Sequence, residues 1–320
     1  TVRCRQATIT HASQSDLVTL GTNGNIILTT TDGDIVINEG DADDTGVIAH
    51  GAGNIVLDAN GAGKDITVNA DLESTAGHIT LTAADAININ ADLTTASTGT
   101  ISLDAEGSNL TMLGASTITA TNSSARLNAA NTITIGNVIA TDVSLVADTG
   151  SIINAAGSTM NVSASNLRIE ADDQIASSDR HLSTTVATLS ALSTGTDSAG
   201  IYITEADDIT IDNVTVSVTN VNTDASTTIV TDAIQSDLVT LSNDGNTTNS
   251  QVAVSIVTNE VETQHAGVIA ACAGNGVLKA TAPGKDIAGK SALQSKSRAI
   301  TLTATHAATK HPTHTHTSSA

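Results

Sequence analysis

From Ile26 onward the chain repeats a short phrase: an aliphatic residue, any residue, a second aliphatic residue, then Thr, Asn, Asp or Ser. Ile35-Val36-Ile37-Asn38, Ile55-Val56-Leu57-Asp58, Ile79-Thr80-Leu81-Thr82, Ile101-Ser102-Leu103-Asp104 and Ile209-Thr210-Ile211-Asp212 all follow it. Alternation with period two puts the aliphatic pair on one face and the polar residues on the other, which predicts short half-buried strands. Gly-Asn, Asp-Gly and Ala-Gly pairs such as Gly24-Asn25 and Asp32-Gly33 mark the turns between them. Alternate phrases start about 20 residues apart (Ile35 to Ile55, Ile66 to Ile87, Ile79 to Ile101). That spacing predicts an all-β fold, a right-handed parallel β-helix (β-solenoid) with coils of roughly 20 residues. A single sheet of hairpins would leave one face of the aliphatic pairs uncovered. No stretch has helical periodicity; Asp179 to Thr196, the least regular, is expected to form a loop or an altered coil.

A longer repeat overlies the short one. Gln14-Ser15-Asp16-Leu17-Val18-Thr19-Leu20 returns unchanged as Gln235-Ser236-Asp237-Leu238-Val239-Thr240-Leu241, a shift of 235 − 14 = 221 positions. The same shift carries Gly46-Val47-Ile48-Ala49 onto Gly267-Val268-Ile269-Ala270 and Ile79-Thr80-Leu81-Thr82-Ala83 onto Ile300-Thr301-Leu302-Thr303-Ala304. The expected organisation is a first solenoid unit at 1–221, a partial second copy at 222–305, and a His/Thr/Ser-rich tail at 306–320. The sequence begins within the repeat pattern and without Met, as expected of a processed or excised piece.

Composition narrows the core. Tyr202 is the one aromatic residue of 320, yet 39% of the chain is hydrophobic, so the interior must be thin and aliphatic, as in stacked narrow layers. The net charge of −21 disfavours nucleic acid and anionic membranes as partners and favours cations. No run of 18 apolar residues is present to insert into a membrane as a helix. Cys4 and Cys272 lie near opposite ends of the chain and form no disulfide framework.

Charge is unevenly spread. Residues 1–221 hold 26 acidic and 6 basic side chains, whereas 263–320 hold one acid, Asp286, against Lys279, Lys285, Lys290, Lys296, Arg298 and Lys310. Under the 221 shift Asp58 becomes Lys279, Asn69 becomes Lys290, Thr75 becomes Lys296 and Gly77 becomes Arg298. Either the second copy has drifted, or Lys279, Lys285, Lys290, Lys296 and Arg298 form a basic end that meets the acidic first copy of another molecule.

Candidate chemistry is sparse. Asp32, Asp34, Asp41, Asp43 and Asp44 cluster in turns and are candidate Ca²⁺ ligands, although neither an EF-hand loop nor a Gly-Gly-x-Gly-x-Asp nonapeptide surrounds them, and solvated turn acids would look the same. No cofactor is required by any motif. His306, His311, His314 and His316 crowd the tail and could chelate a transition metal. Polysaccharide-acting enzymes also use β-helices, but sugar cleavage needs spaced carboxylates and aromatic platforms, and only Tyr202 is available. Gly-x-Ser-x-Gly, His-Glu-x-x-His and phosphate-loop motifs are absent.

The grammar Gly-Asn-Ile-x-Leu-Thr, Gly-Asp-Ile-x-Ile-Asn and Gly-His-Ile-Thr-Leu-Thr-Ala, over residues 20–220 and again 234–305, resembles the large repetitive exoproteins of bacteria, including the filamentous-haemagglutinin-like adhesins. The resemblance implies a secreted or surface-displayed β-helical rod working in adhesion, cell contact or extracellular matrix, with a cell-surface or glycan receptor. The family's amino-terminal secretion motif of the Asn-Pro-Asn-Gly type is missing from this sequence. The reading that follows is a non-enzymatic extracellular structural protein acting in adhesion or as a head-to-tail filament or surface-layer subunit. A calcium-dependent carbohydrate-binding module or a β-helical polysaccharide-acting enzyme is the alternative.

Overall fold

The computed structural model describes residues 16–21, 23–40, 43–195 and 200–240, together with the strands at 253–258, 260–263, 268–270, 275–280, 287–289, 293–295 and 300–304. Every element among these residues is a strand. The parallel strands stack as a β-solenoid of about seven turns.

Three columns of strands build the coils. The first column holds Leu17–Thr19, Thr45–Ala49, Asp71–Ser74 and Leu93–Thr95. The second holds Ile26–Thr30, Ile55–Ala59, Ile79–Ala83 and Ile101–Ala105. The third runs through Ile35–Ile37, Ile66–Val68, Ile87–Ile89, Leu110–Met112, Ile133–Ile135 and Ile152–Asn154. From the fifth coil on, columns one and two fuse into long bent strands, Thr117–Ala129, Asn137–Ala147, Val162–Ala171 and Leu182–Ser193. In the second column the stacked Cα partners are Ile26, Ile55, Ile79, Ile101, Ala125, Val143, Leu167 and Leu189. Successive differences give coils of 29, 24, 22, 24, 18, 24 and 22 residues, mostly longer than the spacing of alternate phrases implied.

The core follows from the phrase. Both aliphatic positions point inward and stack on their equivalents, so Ile55, Leu57, Ile79, Leu81, Ile101 and Leu103 are fully buried. Each apolar side chain thereby meets a like one at the coil spacing of ~4.8 Å, which is why no aromatic residue is needed.

The residues before each Ile also have a physical reason. In Gly53-Asn54-Ile55, Gly77-His78-Ile79 and Gly99-Thr100-Ile101 the glycines stack at one corner, where a Cβ on Gly77 would stand 2.1 Å from the Gly53 carbonyl oxygen and one on Gly99 would stand 2.3 Å from that of Gly77. The next residue accepts a backbone N–H from the coil above: His78 N donates to Asn54 Oδ1 at 2.8 Å and Thr100 N to His78 Nδ1 at 3.0 Å. Outward asparagines form a ladder, Asn90 Nδ2 donating to Asn69 Oδ1 at 2.7 Å and Asn69 Nδ2 to Asn38 Oδ1 at 2.9 Å.

Two segments depart from the regular stack of coils. The first falls within Asp179 to Thr196, where the strand Leu182–Ser193 forms an altered coil, one of the two forms expected there. There the column rearranges: Gly200–Glu205 pairs with both Gln174–Ile175 and the start of Leu182–Ser193, and the inward positions Val138 and Val162 are followed by Thr184 and then Glu205. The second departure is at 212–237, which leaves the coil to form an antiparallel hairpin, Ser217–Val221 with Thr227–Thr231.

The 221-residue shift reappears in the backbone. Leu17 pairs with Val47 and Leu238 with Val268; Val47 pairs with Leu72 and Val268 with Leu293; Ile55 pairs with Ile79 and Gly276 with Ile300. The correspondence breaks at Ile256, the copy of Ile35, which pairs with Leu278 rather than with Ile287, the copy of Ile66. Val261 takes that place.

Candidate functional site

The hairpin at 212–237 lies over the outer face of the second column and acts as a strap. Its alternating Val214, Val216 and Val218, then Val221, are buried, and beneath them the outward Thr80, Ser102, Ser144 and Ser190 are buried as well. Small hydroxyl residues let a second layer approach closely while giving it bonding partners. Val221 N donates to Thr80 Oγ1 at 3.0 Å, Thr219 N to Thr100 Oγ1 at 3.0 Å, and Thr100 Oγ1 to Thr219 O at 2.9 Å. Lower down, Arg126 Nε donates to both carboxylate oxygens of Asp232 at 3.0 and 3.1 Å, Arg168 Nε to Ala233 O at 3.0 Å, and Gln235 Nε2 to Ile169 O at 2.9 Å. Sequence reasoning missed this element. The Val214-x-Val216-x-Val218 alternation was the available signal, but it is the same signal that a coil strand gives.

Where the strap tip, Asn220 to Thr223, meets the coils, it closes a cleft of about 280 Å³ lined also by Val56, Asp58, Asn60, Thr82 and Glu106. Burial raises the carboxyl of Asp58 above its usual range, and burial together with the charges of Asp104 and Asp58 raises that of Glu106. Asp148, further along, is raised by burial first and then by Asp104, while Arg126 opposes the shift. The cleft offers carboxylates, amides and hydroxyls, a surface for amines or hydroxylated ligands.

Two of the turn acids singled out from sequence, Asp34 and Asp43, bond backbone N–H groups. Asp34 Oδ1 accepts from Asp65 N at 3.1 Å, and Asp43 Oδ1 accepts from Thr45 N at 3.1 Å and Thr45 Oγ1 at 2.8 Å. Asp32 is exposed, with Lys64 Nζ at 3.8 Å. Asp44 sits in the left-handed region at φ 67°, and Asp41 lies outside the described residues. Among the described residues no three His, Cys, Asp or Glu side chains converge as a metal cage. The tail histidines and both cysteines also lie outside them.

The ends of the solenoid carry the other candidates. Leu17–Thr19, Ile26–Thr30 and Ile35–Ile37 pair only with the coil that follows, among the described residues. Leu17 and Val18 are 42% and 38% exposed, whereas Val47, the partner of Leu17 one coil on, is 0% exposed. At the other end, Ile287–Gly289, Leu293–Ser295 and Ile300–Ala304 pair only with the coil before them, again among the described residues. Lys279 lies within the strand Asn275–Ala280, in register with Thr303. Lys285, Lys290, Lys296 and Arg298 lie outside the described residues.

Buried polar chemistry is concentrated at Glu205, which sequence reasoning also missed. Its carboxylate takes an inward position and accepts from Thr184 Oγ1 at 2.7 Å, Val186 N at 3.0 Å, Ala206 N at 3.1 Å and Asp207 N at 3.2 Å. Burial raises its pKa despite these four donors. The arrangement braces the rearranged coil.

Comparison of the chain with protein-family models, with curated proteins and with solved structures gives no match. The class defined by the coordinates is therefore that of the fold, a parallel β-solenoid.

Proposed function

We propose that this protein is a non-enzymatic structural rod that works outside the cell, in adhesion or surface coating, and that its molecules join end to end. The observation that carries the reading is the leading coil: three parallel strands bonded on one side only among the described residues, with Leu17 and Val18 exposed. Strand edges of this kind pair with another chain unless they are covered. The acidic first unit and the basic residues after 263 support a head-to-tail polarity, because unlike ends attract and like ends repel. A contact of that kind does not close on itself and grows a filament. The repeat grammar shared with adhesin-like bacterial exoproteins supports the extracellular setting, and stacked coils supply length and stiffness.

Light scattering and electron microscopy on the wild type and on a variant with Lys279, Lys290, Lys296 and Arg298 all changed to Glu test this. Assembly of the wild type, slowed in the variant most strongly at low salt, is expected. Monodisperse wild-type monomers at high concentration would refute it.

The strap cleft favours a second reading, a glycan-binding module, since Asp58, Glu106, Asn60 and Asn220 can bond sugar hydroxyls. Calcium dependence would then rest on Asp43 and its neighbours, and chelation would lower the melting temperature in the wild type but not in Asp43→Asn.

A further inference from the structure

We infer that the joint between molecules has one defined register, in which Leu17–Thr19 and Ile26–Thr30 of one copy sit on Leu293–Ser295 and Ile300–Ala304 of another as Leu93–Thr95 and Ile101–Ala105 sit on Asp71–Ser74 and Ile79–Ala83 within this chain. The inference rests on the end-to-end reading above and adds to it the residues that meet.

The internal template is explicit. Leu72-Glu73-Ser74 seats Leu93-Thr94-Thr95, with Leu93 on Leu72 and Thr95 on Ser74, and Ile79–Ala83 seats Ile101–Ala105, with Ile101 on Ile79 and Leu103 on Leu81. The trailing edge repeats this seat. Leu293-Gln294-Ser295 keeps the Leu-x-Ser pattern, Ile300-Thr301-Leu302-Thr303-Ala304 is identical to Ile79–Ala83, and Leu72 and Ile79 lie 7 residues apart, as do Leu293 and Ile300 (79 − 72 and 300 − 293). Their pairing with the coil before them is also that of Asp71–Ser74 and Ile79–Ala83, carried along by 221 residues.

The leading edge has the form of the strands seated on that template. Leu17-Val18-Thr19 matches Leu93-Thr94-Thr95, and Ile26-Ile27-Leu28 matches Ile101-Ser102-Leu103 in the Ile-x-Leu frame. The corner from column one to column two spans 26 − 17 = 9 residues in the first coil and 101 − 93 = 8 in the fourth. Corners of 9, 8 and 7 residues (17 to 26, 47 to 55, 72 to 79) already stack on one another here, so the extra residue is tolerated. The joint then places Leu17 on Leu293, Thr19 on Ser295, Ile26 on Ile300, Leu28 on Leu302 and Thr30 on Ala304. Two leading edges brought together would oppose strand directions, whereas every pairing in the stacked columns is parallel.

Cysteine cross-linking reads the register. In a Cys4→Ser, Cys272→Ser background, Thr29→Cys with Thr303→Cys places two thiols on neighbouring rungs, at a Cα separation of ~4.8 Å that suits a disulfide. Mild oxidation should give a ladder of reducible oligomers, at about ten times the yield of a pair slipped by two residues, Thr29→Cys with Thr301→Cys, whose Cα atoms fall outside disulfide range. Scattering before oxidation reports assembly separately. If assembly occurs but the slipped pair links as well, or Thr29→Cys alone gives dimers in high yield, the register is overturned while self-association stands. If neither assembly nor cross-linking occurs, both readings fall.

Discussion

Replacing Glu205 tests the account of the rearranged coil at both the energetic and the electrostatic level. In Glu205→Ala, two buried donors lose their acceptor: the Thr184 hydroxyl and the Val186 N–H. Ala206 N keeps a second acceptor, Thr184 O at 2.8 Å, and exposed Asp207 can turn its N–H to water. Each stranded buried donor costs about 1–3 kcal/mol, so the variant should lose about 2–6 kcal/mol. At roughly 2–4 °C per kcal/mol, cooperative melting would drop by about 4–24 °C. Because coils contact only their neighbours, hydrogen exchange should rise in Leu182–Ser193 and Gly200–Glu205 and stay unchanged in Ile55–Ala59. Glu205→Gln keeps the shape and one acceptor and should stay within about 1 kcal/mol of the wild type at neutral pH. It should also change the pH dependence. Burial raises the folded pKa above the ordinary 4.5, so this group's contribution is full below 4.5 and is lost as pH rises through the folded value. Glu205→Gln removes that loss. Wild-type melting and Val186 exchange in Glu205→Ala, or an unchanged pH slope in Glu205→Gln, would refute the reasoning.

His78 should behave in the opposite sense: burial lowers its folded pKa, so its contribution is present above 6.5 and is lost as pH falls through the folded value. His78→Asn, which supplies the acceptor Asn54 already uses one coil earlier, should flatten unfolding free energy against pH below 6.5, as measured by urea titration; retention of the full slope would exclude His78 as its source. Gly77→Ala should destabilise by about 2–4 kcal/mol, because its Cβ would stand 2.1 Å from the Gly53 carbonyl oxygen and the backbone must move. Gly63→Ala serves as the contrast, with a positive φ of 70° but nothing within 4 Å, so only backbone strain of roughly 1 kcal/mol is expected. Equal denaturation midpoints for the two variants would argue against the corner stack.

The parts of this fold legible in sequence are those where one residue meets its own equivalent. Ile55, Ile79 and Ile101 are inward because each phrase repeats the last, and a period-two pattern is enough to say so. The Gly-Asn-Ile frame was legible as a turn, although its mechanism, a carbonyl beneath the glycine and an N–H above the Asn, needs the stacked coils to be visible. The strap was not legible. Val214, Val216 and Val218 alternate as strand residues do, but the sequence says nothing of whether the other face meets the interior of a coil or the outside of one. Glu205 alternates with the inward Ile201 and Ile203, so period two points it inward, but the sequence does not show the donors, Thr184 Oγ1 and Val186 N, that the rearranged columns bring to it. Asp34 and Asp43 look the same in sequence whether they hold a cation or a backbone N–H.

The strap gives the rod a mechanical asymmetry. Pulled along its axis, a bare solenoid yields one coil at a time, since each rung can unzip without disturbing the next. Between Thr80 and Ile169, the strap is bonded to several rungs at once, through Thr80, Thr100, Arg126, Arg168 and the Ile169 carbonyl. Tension on that stretch loads these bonds in parallel and in shear, so they must fail together. The stretch from the third coil to the seventh should therefore resist force better than the leading coils, Leu17–Thr19 to Ile66–Val68, which lie beyond the strap's hydrogen bonds and would be the first to give way.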